Sequence, residues 1–224
     1  MRPESVIFDF NGTLFFDSHK HIEAWKRYIR AHGFGEISDE TFKERFLGRN
    51  NAEILPALYG RPLSDDEIER EAEAKEAIYR DVCREKPEEL HLVKGAEALF
   101  DCLQAREIPF TLATGSNLAN VRFYFDTFGL GRWFDLARVV YDDGTLPGKP
   151  DPAIYHKALA ALGVSPEGCT VFEDSFSGIH AAKNAGVSRV VAIATPEGRA
   201  YVEKLGLADL ICTDFCDLAA FGLG

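Results

Sequence analysis

Residues 5–13 read Ser5-Val6-Ile7-Phe8-Asp9-Phe10-Asn11-Gly12-Thr13. The apolar run is short and is stopped by the polar turn Asn11-Gly12-Thr13, the pattern of a buried strand whose end carries an aspartate. From about residue 92 the same kind of segment recurs. Strands are predicted at 109–113, 137–141, 170–172, 189–193 and 208–212, with helices between most of them. One helix opens at Asp151-Pro152, places Ile154, Ala158, Leu159 and Leu162 on a face, and closes at Gly163. Another ends at Gly186 after Ile179 and Ala182. Repeated strand–helix alternation implies an α/β fold: a Rossmann-like, doubly wound parallel sheet with right-handed crossovers. Sheets of this kind bind ligands beyond the carboxyl ends of their strands.

The stretch between the first strand and residue 90 follows a different period. Ser18 can cap a helix carrying Ile22, Trp25 and Ile29 on one face, with Gly33 just past its end. A second helix fits 41–47. A third opens with the capping box Ser64-x-x-Glu67 and continues through Ile68, Ala72, Ile78 and Val82. The expected organisation is therefore a Rossmann-like core of residues 1–16 and 91–224, with a small all-helical insert over 17–90.

Composition narrows the class. A chain of 224 residues with 46% apolar and 27% charged residues is that of an ordinary globular protein. No apolar run approaches the roughly 20 residues of a membrane span, and no secretory leader is visible, so a cytoplasmic protein without a membrane partner is expected. The five cysteines, Cys83, Cys102, Cys169, Cys212 and Cys216, lack Cys-x-x-Cys spacing and read as reduced thiols. A net charge of −11 argues against nucleic acid, which needs clustered Lys and Arg. The expected state is a monomer, with a dimer left open.

Four strand or loop ends carry the polar residues: Asp9-x-Asn11-Gly12-Thr13, Thr114-Gly115-Ser116-Asn117, Gly148-Lys149-Pro150-Asp151 and Glu173-Asp174-Ser175. The topology puts all four on one edge of the sheet. Clustered carboxylates suit Mg²⁺, a hard cation that prefers oxygen ligands. A further role for a carboxylate is to attack phosphorus and form an aspartyl phosphate. Lys149 and the Thr114 hydroxyl can hold the transferring oxygens.

In this order the four segments resemble the motifs of the haloacid dehalogenase superfamily, and the insert resembles the cap placed after its first motif. The resemblance implies Asp9 as nucleophile and metal ligand, the Asn11 main-chain carbonyl and Asp174 as further Mg²⁺ ligands, and Glu173 supporting the metal directly or through water. It implies Thr114 and Lys149 as phosphate holders, with Gly115, Ser116 and Asn117 beside them. Within the superfamily the chain looks most like the β-phosphoglucomutase and small sugar-phosphate phosphatase branch. His21 and Trp25 match positions used there at the start of the cap, Gly48-Arg49 resembles a loop whose arginine binds the distal phosphate, and Lys75 lies near a cap lysine of the mutases. His21, Arg49 and Lys75 are thus candidate substrate contacts. Read alone, His21 would be an exposed helix residue and Lys75 a solvated partner of Glu71.

The sequence departs from that pattern at Asn11, where most phosphatases and mutases of the family carry the aspartate that acts as acid and base. An amide can hydrogen-bond to a leaving oxygen but cannot exchange a proton at neutral pH. Three functions follow as expectations. The first is a Mg²⁺-dependent phosphatase for a small phosphorylated metabolite. The second is a phosphomutase-like protein with a long-lived aspartyl phosphate, and the third a catalytically impaired phosphometabolite-binding protein. Phosphonate hydrolysis fits less well, because Arg49 cannot serve as a Schiff-base amine.

Overall fold

The computed structural model describes residues 2–46 and 50–224. The chain divides into two compact units, Met1–Phe16 with His91–Gly224, and Asp17–Leu90.

The second unit is helical. Its helices are α1 (Ser18–Ala31), α2 (Asp39–Phe46), α3 (Asn51–Tyr59) and α4 (Asp65–Arg84). Helix α1 starts at Ser18, but the capping position is Asp17, whose side chain makes no capping bond. That carboxylate instead accepts the Tyr79 hydroxyl and lies 3.3 Å from His21 Nε2. The predicted end of α2 at Leu47 lies outside the described residues. Helix α3 was not foreseen, because Pro56 sits inside it. A reciprocal capping box starts it: Glu53 N–H donates to Asn50 Oδ1 and Asn50 N–H to Glu53 Oε2, at 2.9 and 3.1 Å. Helix α4 opens on the predicted Ser64–Glu67 box. Trp25, Tyr28, Phe42, Phe46, Ile54 and Leu55 form the core of this unit.

The first unit holds a six-stranded sheet of β1 (Ser5–Phe8), β2 (Phe110–Asn117), β3 (Val140–Asp142), β4 (Cys169–Glu173), β5 (Arg189–Ile193) and β6 (Leu210–Cys212). The order is β3-β2-β1-β4-β5-β6 and every pairing is parallel. Its helices are α5 (Ala96–Ala105), α6 (Leu118–Phe128), α7 (Ala153–Leu162), α8 (Phe176–Asn184) and α9 (Arg199–Leu205). Three strand boundaries differ from expectation by two residues or more; β6 begins at Leu210 rather than 208. Strand β2 runs on through its polar end to Asn117, paired with β3 across a register shift. Strand β3 starts late because Leu136–Arg138 forms a single 3-10 turn.

Every residue of β1 is buried, as a strand flanked on both sides requires. Phe8 stacks on Phe172 at 5.0 Å and meets Phe100 edge-on at 5.2 Å, so the aromatic content gathers around the central strand. Later strands are added outward on either side of β1, which makes the carboxyl ends of β1 and β4 the switch point where such sheets bind ligands. Among the described residues no helix is long and apolar enough to cross a membrane.

Candidate active site

Register sets the centre of the site. Phe8 pairs with Phe172, and the Asp9 N–H donates to the Phe172 carbonyl at 2.9 Å, so the next residues of β1 and β4 bring Asp9 and Glu173 together. Lys149, from the loop after β3, inserts between them: its Nζ donates to Asp9 Oδ1 at 2.7 Å and to Glu173 Oε1 at 2.5 Å. Burial pushes the Asp9 carboxyl up to about 7 despite the opposing pull of Lys149. Burial would also raise Glu173, but Lys149 and the hydrogen bonds below outweigh it and hold that carboxyl down. The two carboxylates in turn hold Lys149 charged against its own burial.

Glu173 is fully enclosed. Oε1 accepts from Lys149 and from the Tyr155 hydroxyl at 2.9 Å; Oε2 accepts the Asp174 and Ser175 N–H groups and the Ser175 hydroxyl at 2.8–3.1 Å. A carboxylate offers about four lone-pair sites, so protein donors saturate this one. Oxygens of Asp9, Glu173 and Asp174 lie within 4.8 Å of one another, a hard donor set that fits Mg²⁺. With Glu173 saturated by protein donors, the carboxylate oxygens left for a metal are those of Asp9 and Asp174. Thr13 donates to Asp174 Oδ1 at 3.4 Å.

Two glycines are fixed by this crowding. A Cβ on Gly178 would lie 1.7 Å from Glu173 Oε1, and one on Gly12, at φ +78°, would lie 2.1 Å from Asp174 Oδ2.

The end of β2 supplies hydroxyls. Thr114 Oγ1 accepts the Ser116 N–H at 3.1 Å and donates to Asn11 Oδ1 at 3.4 Å; Ser116 Oγ donates to the same oxygen at 2.8 Å. Asn11 Nδ2 donates to the Tyr124 hydroxyl at 2.9 Å. Gly115 is exposed, with open space where a side chain would stand. Asn117 caps α6 by accepting the Asn120 N–H at 3.0 Å.

Thus Asp9, Asn11, Thr114, Ser116, Lys149, Glu173 and Asp174 are brought together as the sequence suggested. Tyr155 and Tyr124 were missed, and Thr13 stood in the first motif without a role.

The family model for haloacid dehalogenase-like hydrolases matches residues 3–186. The chain belongs to this hydrolase family. It is 31% identical over 211 residues to a phosphorylated carbohydrates phosphatase of Thermotoga maritima, covering 92% of this chain and 93% of that one. It is 32% identical over 217 residues to a validoxylamine A 7′-phosphate phosphatase of Streptomyces hygroscopicus, covering 95% and 94%. Among solved structures, a family hydrolase from Entamoeba histolytica superposes with a TM-score of 0.89 at 34% identity, over 100% of this chain and 99% of that one.

The helical unit of this hydrolase carries the other candidates. Arg49, with Gly48, lies outside the described residues. Lys75 is not a solvated partner of Glu71, which instead accepts the Tyr28 hydroxyl at 2.7 Å. Lys75 is 2% exposed and donates to Glu76 Oε1 at 2.8 Å and to His21 Nδ1 at 2.9 Å. Nor is His21 an open surface residue: its ring stacks on Tyr79 at 3.9 Å. With Lys75 donating to its Nδ1, the ring turns Nε2 toward Asp17 Oδ2 at 3.3 Å.

Burial pushes Glu76 up, but Lys75 and the Asn51 amide outweigh it and hold its carboxyl at about 2, below its ordinary 4.5. A depressed acid contributes stability that is complete above its unfolded pKa and is lost as pH falls through the folded one. Acid unfolding between about pH 4.5 and 2 should therefore lose on the order of 3 kcal/mol through this one group. Glu76→Gln should flatten that limb of the stability–pH curve in urea titrations; an unchanged limb would remove Glu76 from the account.

Proposed function

We propose that this chain is a Mg²⁺-dependent cytoplasmic phosphatase that acts on a small phosphorylated metabolite through an aspartyl phosphate on Asp9. The observation that carries the reading is Lys149 lodged between Asp9 and Glu173 at the switch point, with Thr114, Ser116 and Asp174 around it. The phosphatase names of two relatives covering nearly the whole chain support the same chemistry.

Asp9 attacks phosphorus and the bond to the leaving oxygen breaks. Water then attacks the aspartyl phosphate, releasing inorganic phosphate and restoring Asp9. Asp9, Asp174 and the Asn11 carbonyl would hold Mg²⁺, whose positive charge would act on the phosphoryl oxygens. Lys149 adds a fixed cation and the Gly115 amide a donor for the oxygens, with Thr114 and Ser116 beside them. Glu173 positions Lys149 and the loop bearing Asp174. Since Asn11 carries no exchangeable acid proton, the favoured substrates are those with stable leaving groups, such as acyl phosphates.

The same property supports a second reading, a phosphomutase-like protein. A site without a base at position 11 leaves water unactivated, so the aspartyl phosphate persists; when a second hydroxyl bound in the site takes the phosphoryl group, its proton goes to solvent water and the bond to Asp9 breaks.

A screen over acyl, sugar and p-nitrophenyl phosphates, with Mg²⁺ and with EDTA, tests both. Turnover lost in EDTA and in Asp9→Ala is the expected result. Intact-mass detection of one added phosphoryl group without phosphate release would favour the mutase. Silence on every substrate would sink the phosphatase reading.

A further inference from the structure

Tyr124 belongs to α6, is 1% exposed, and stacks its ring on Phe10 at 4.2 Å. A phenylalanine would pack as well, so packing accounts for the ring and leaves the hydroxyl to be explained. That hydroxyl accepts Asn11 Nδ2 at 2.9 Å and lies 3.2 Å from Ser116 Oγ. Ser116 in turn donates to Asn11 Oδ1 at 2.8 Å, closing a triangle around the carboxamide.

The polarity of the triangle is biased from outside it. A main-chain N–H can only donate, and the Ser116 N–H donates to Thr114 Oγ1, so the Thr114 hydrogen is directed to Asn11 Oδ1. Two hydroxyls therefore fix the oxygen end of the amide, and the phenol fixes the nitrogen end. The end that faces a leaving oxygen matters. An amide N–H attracts an oxygen that is gaining negative charge, whereas the carbonyl of a reversed amide repels it.

We propose that Tyr124 is a positioning residue. With Ser116 it locks the Asn11 carboxamide so that its nitrogen end meets the leaving-group oxygen, giving a fixed hydrogen-bond donor where the family's usual acid is missing. This rests on the phosphatase reading above. No proton is transferred by the amide, and the leaving group departs as an anion that water protonates.

The test is Tyr124→Phe, which keeps the ring on Phe10. On sugar phosphates kcat should fall about tenfold with KM little changed, the size of one hydrogen bond to a positioned group. On p-nitrophenyl phosphate, whose leaving anion is stable, the fall should be smaller. Ser116→Ala combined with Tyr124→Phe should be less than additive, because both act on the same amide. Independently of turnover, the side-chain amide resonances of Asn11, assigned by their loss in Asn11→Ala, should shift in Tyr124→Phe. Unchanged resonances would overturn the proposal even if the enzyme is active. A fall in kcat equal for all leaving groups would overturn it too. Silence of the wild type would sink the phosphatase reading, while the amide resonances would still decide whether Tyr124 sets the carboxamide.

Discussion

Lys149→Met should abolish turnover and lower the melting temperature by about 10 °C. Lys149 is the cation shared by two buried carboxylates, at 2.7 and 2.5 Å, and its side chain is only 14% exposed. Removing one member of a buried ion pair leaves the other charge without compensation, which destabilises by about 3–5 kcal/mol. Here two charges are stranded. In a chain of this size each kcal/mol moves the midpoint by about 2–4 °C. Lys149→Arg keeps the charge but brings a larger planar fork into a space shaped for an ammonium, so it should recover part of the stability and little activity. Calorimetry on the three proteins, with matched phosphatase assays, checks this. A midpoint for Lys149→Met within a degree or two of wild type would mean that Asp9 and Glu173 do not depend on Lys149 for compensation.

The network around Lys149 also shows which parts of the site could be seen in the sequence. The motif aspartates fall at ends of predicted strands, and parallel pairing brings such ends to one edge whatever the loops do, whereas Lys149 reaches that edge through the loop after β3. Neither tyrosine that completes the site gave a comparable signal. Tyr155 and Tyr124 lie on helices among apolar residues, where periodicity assigns them to the core, and the rings are indeed buried. Their hydroxyls act on Glu173 and Asn11, residues remote in sequence, and only packing creates those contacts. The one available hint is general: a buried phenol needs a hydrogen-bond partner. The pairing of Lys75 with Glu71 failed for a related reason. Glu71 is its neighbour one helical turn away, yet burial selected the adjacent Glu76 and the ring of His21. Helix α3 escaped because Pro56 argues against a helix, although a proline disturbs only the turn before it and α3 is short and well capped at its start.

Asn11→Asp should raise kcat on sugar phosphates by about 10²–10⁴-fold, the usual contribution of general acid–base catalysis. The surroundings of Asn11 can accept the change without rebuilding. Ser116 and Thr114 already donate to Oδ1, and the Tyr124 hydroxyl can turn from acceptor to donor to meet a second carboxylate oxygen. The variant should therefore fold with wild-type stability, and the gain should vary with the leaving group. Alkyl leaving groups need a proton and should gain most. For p-nitrophenyl phosphate only the second step, attack of water on the aspartyl phosphate, should gain. Comparing the two substrates thus separates the acid role from the base role at one position. Equal gains on both would place the limit at hydrolysis of the aspartyl phosphate, which would also accumulate in the wild type and be visible as an added phosphoryl mass on Asp9. No gain on either would mean that the natural amide already meets the need of the leaving oxygen, and Tyr124 would then be the residue whose loss exposes it.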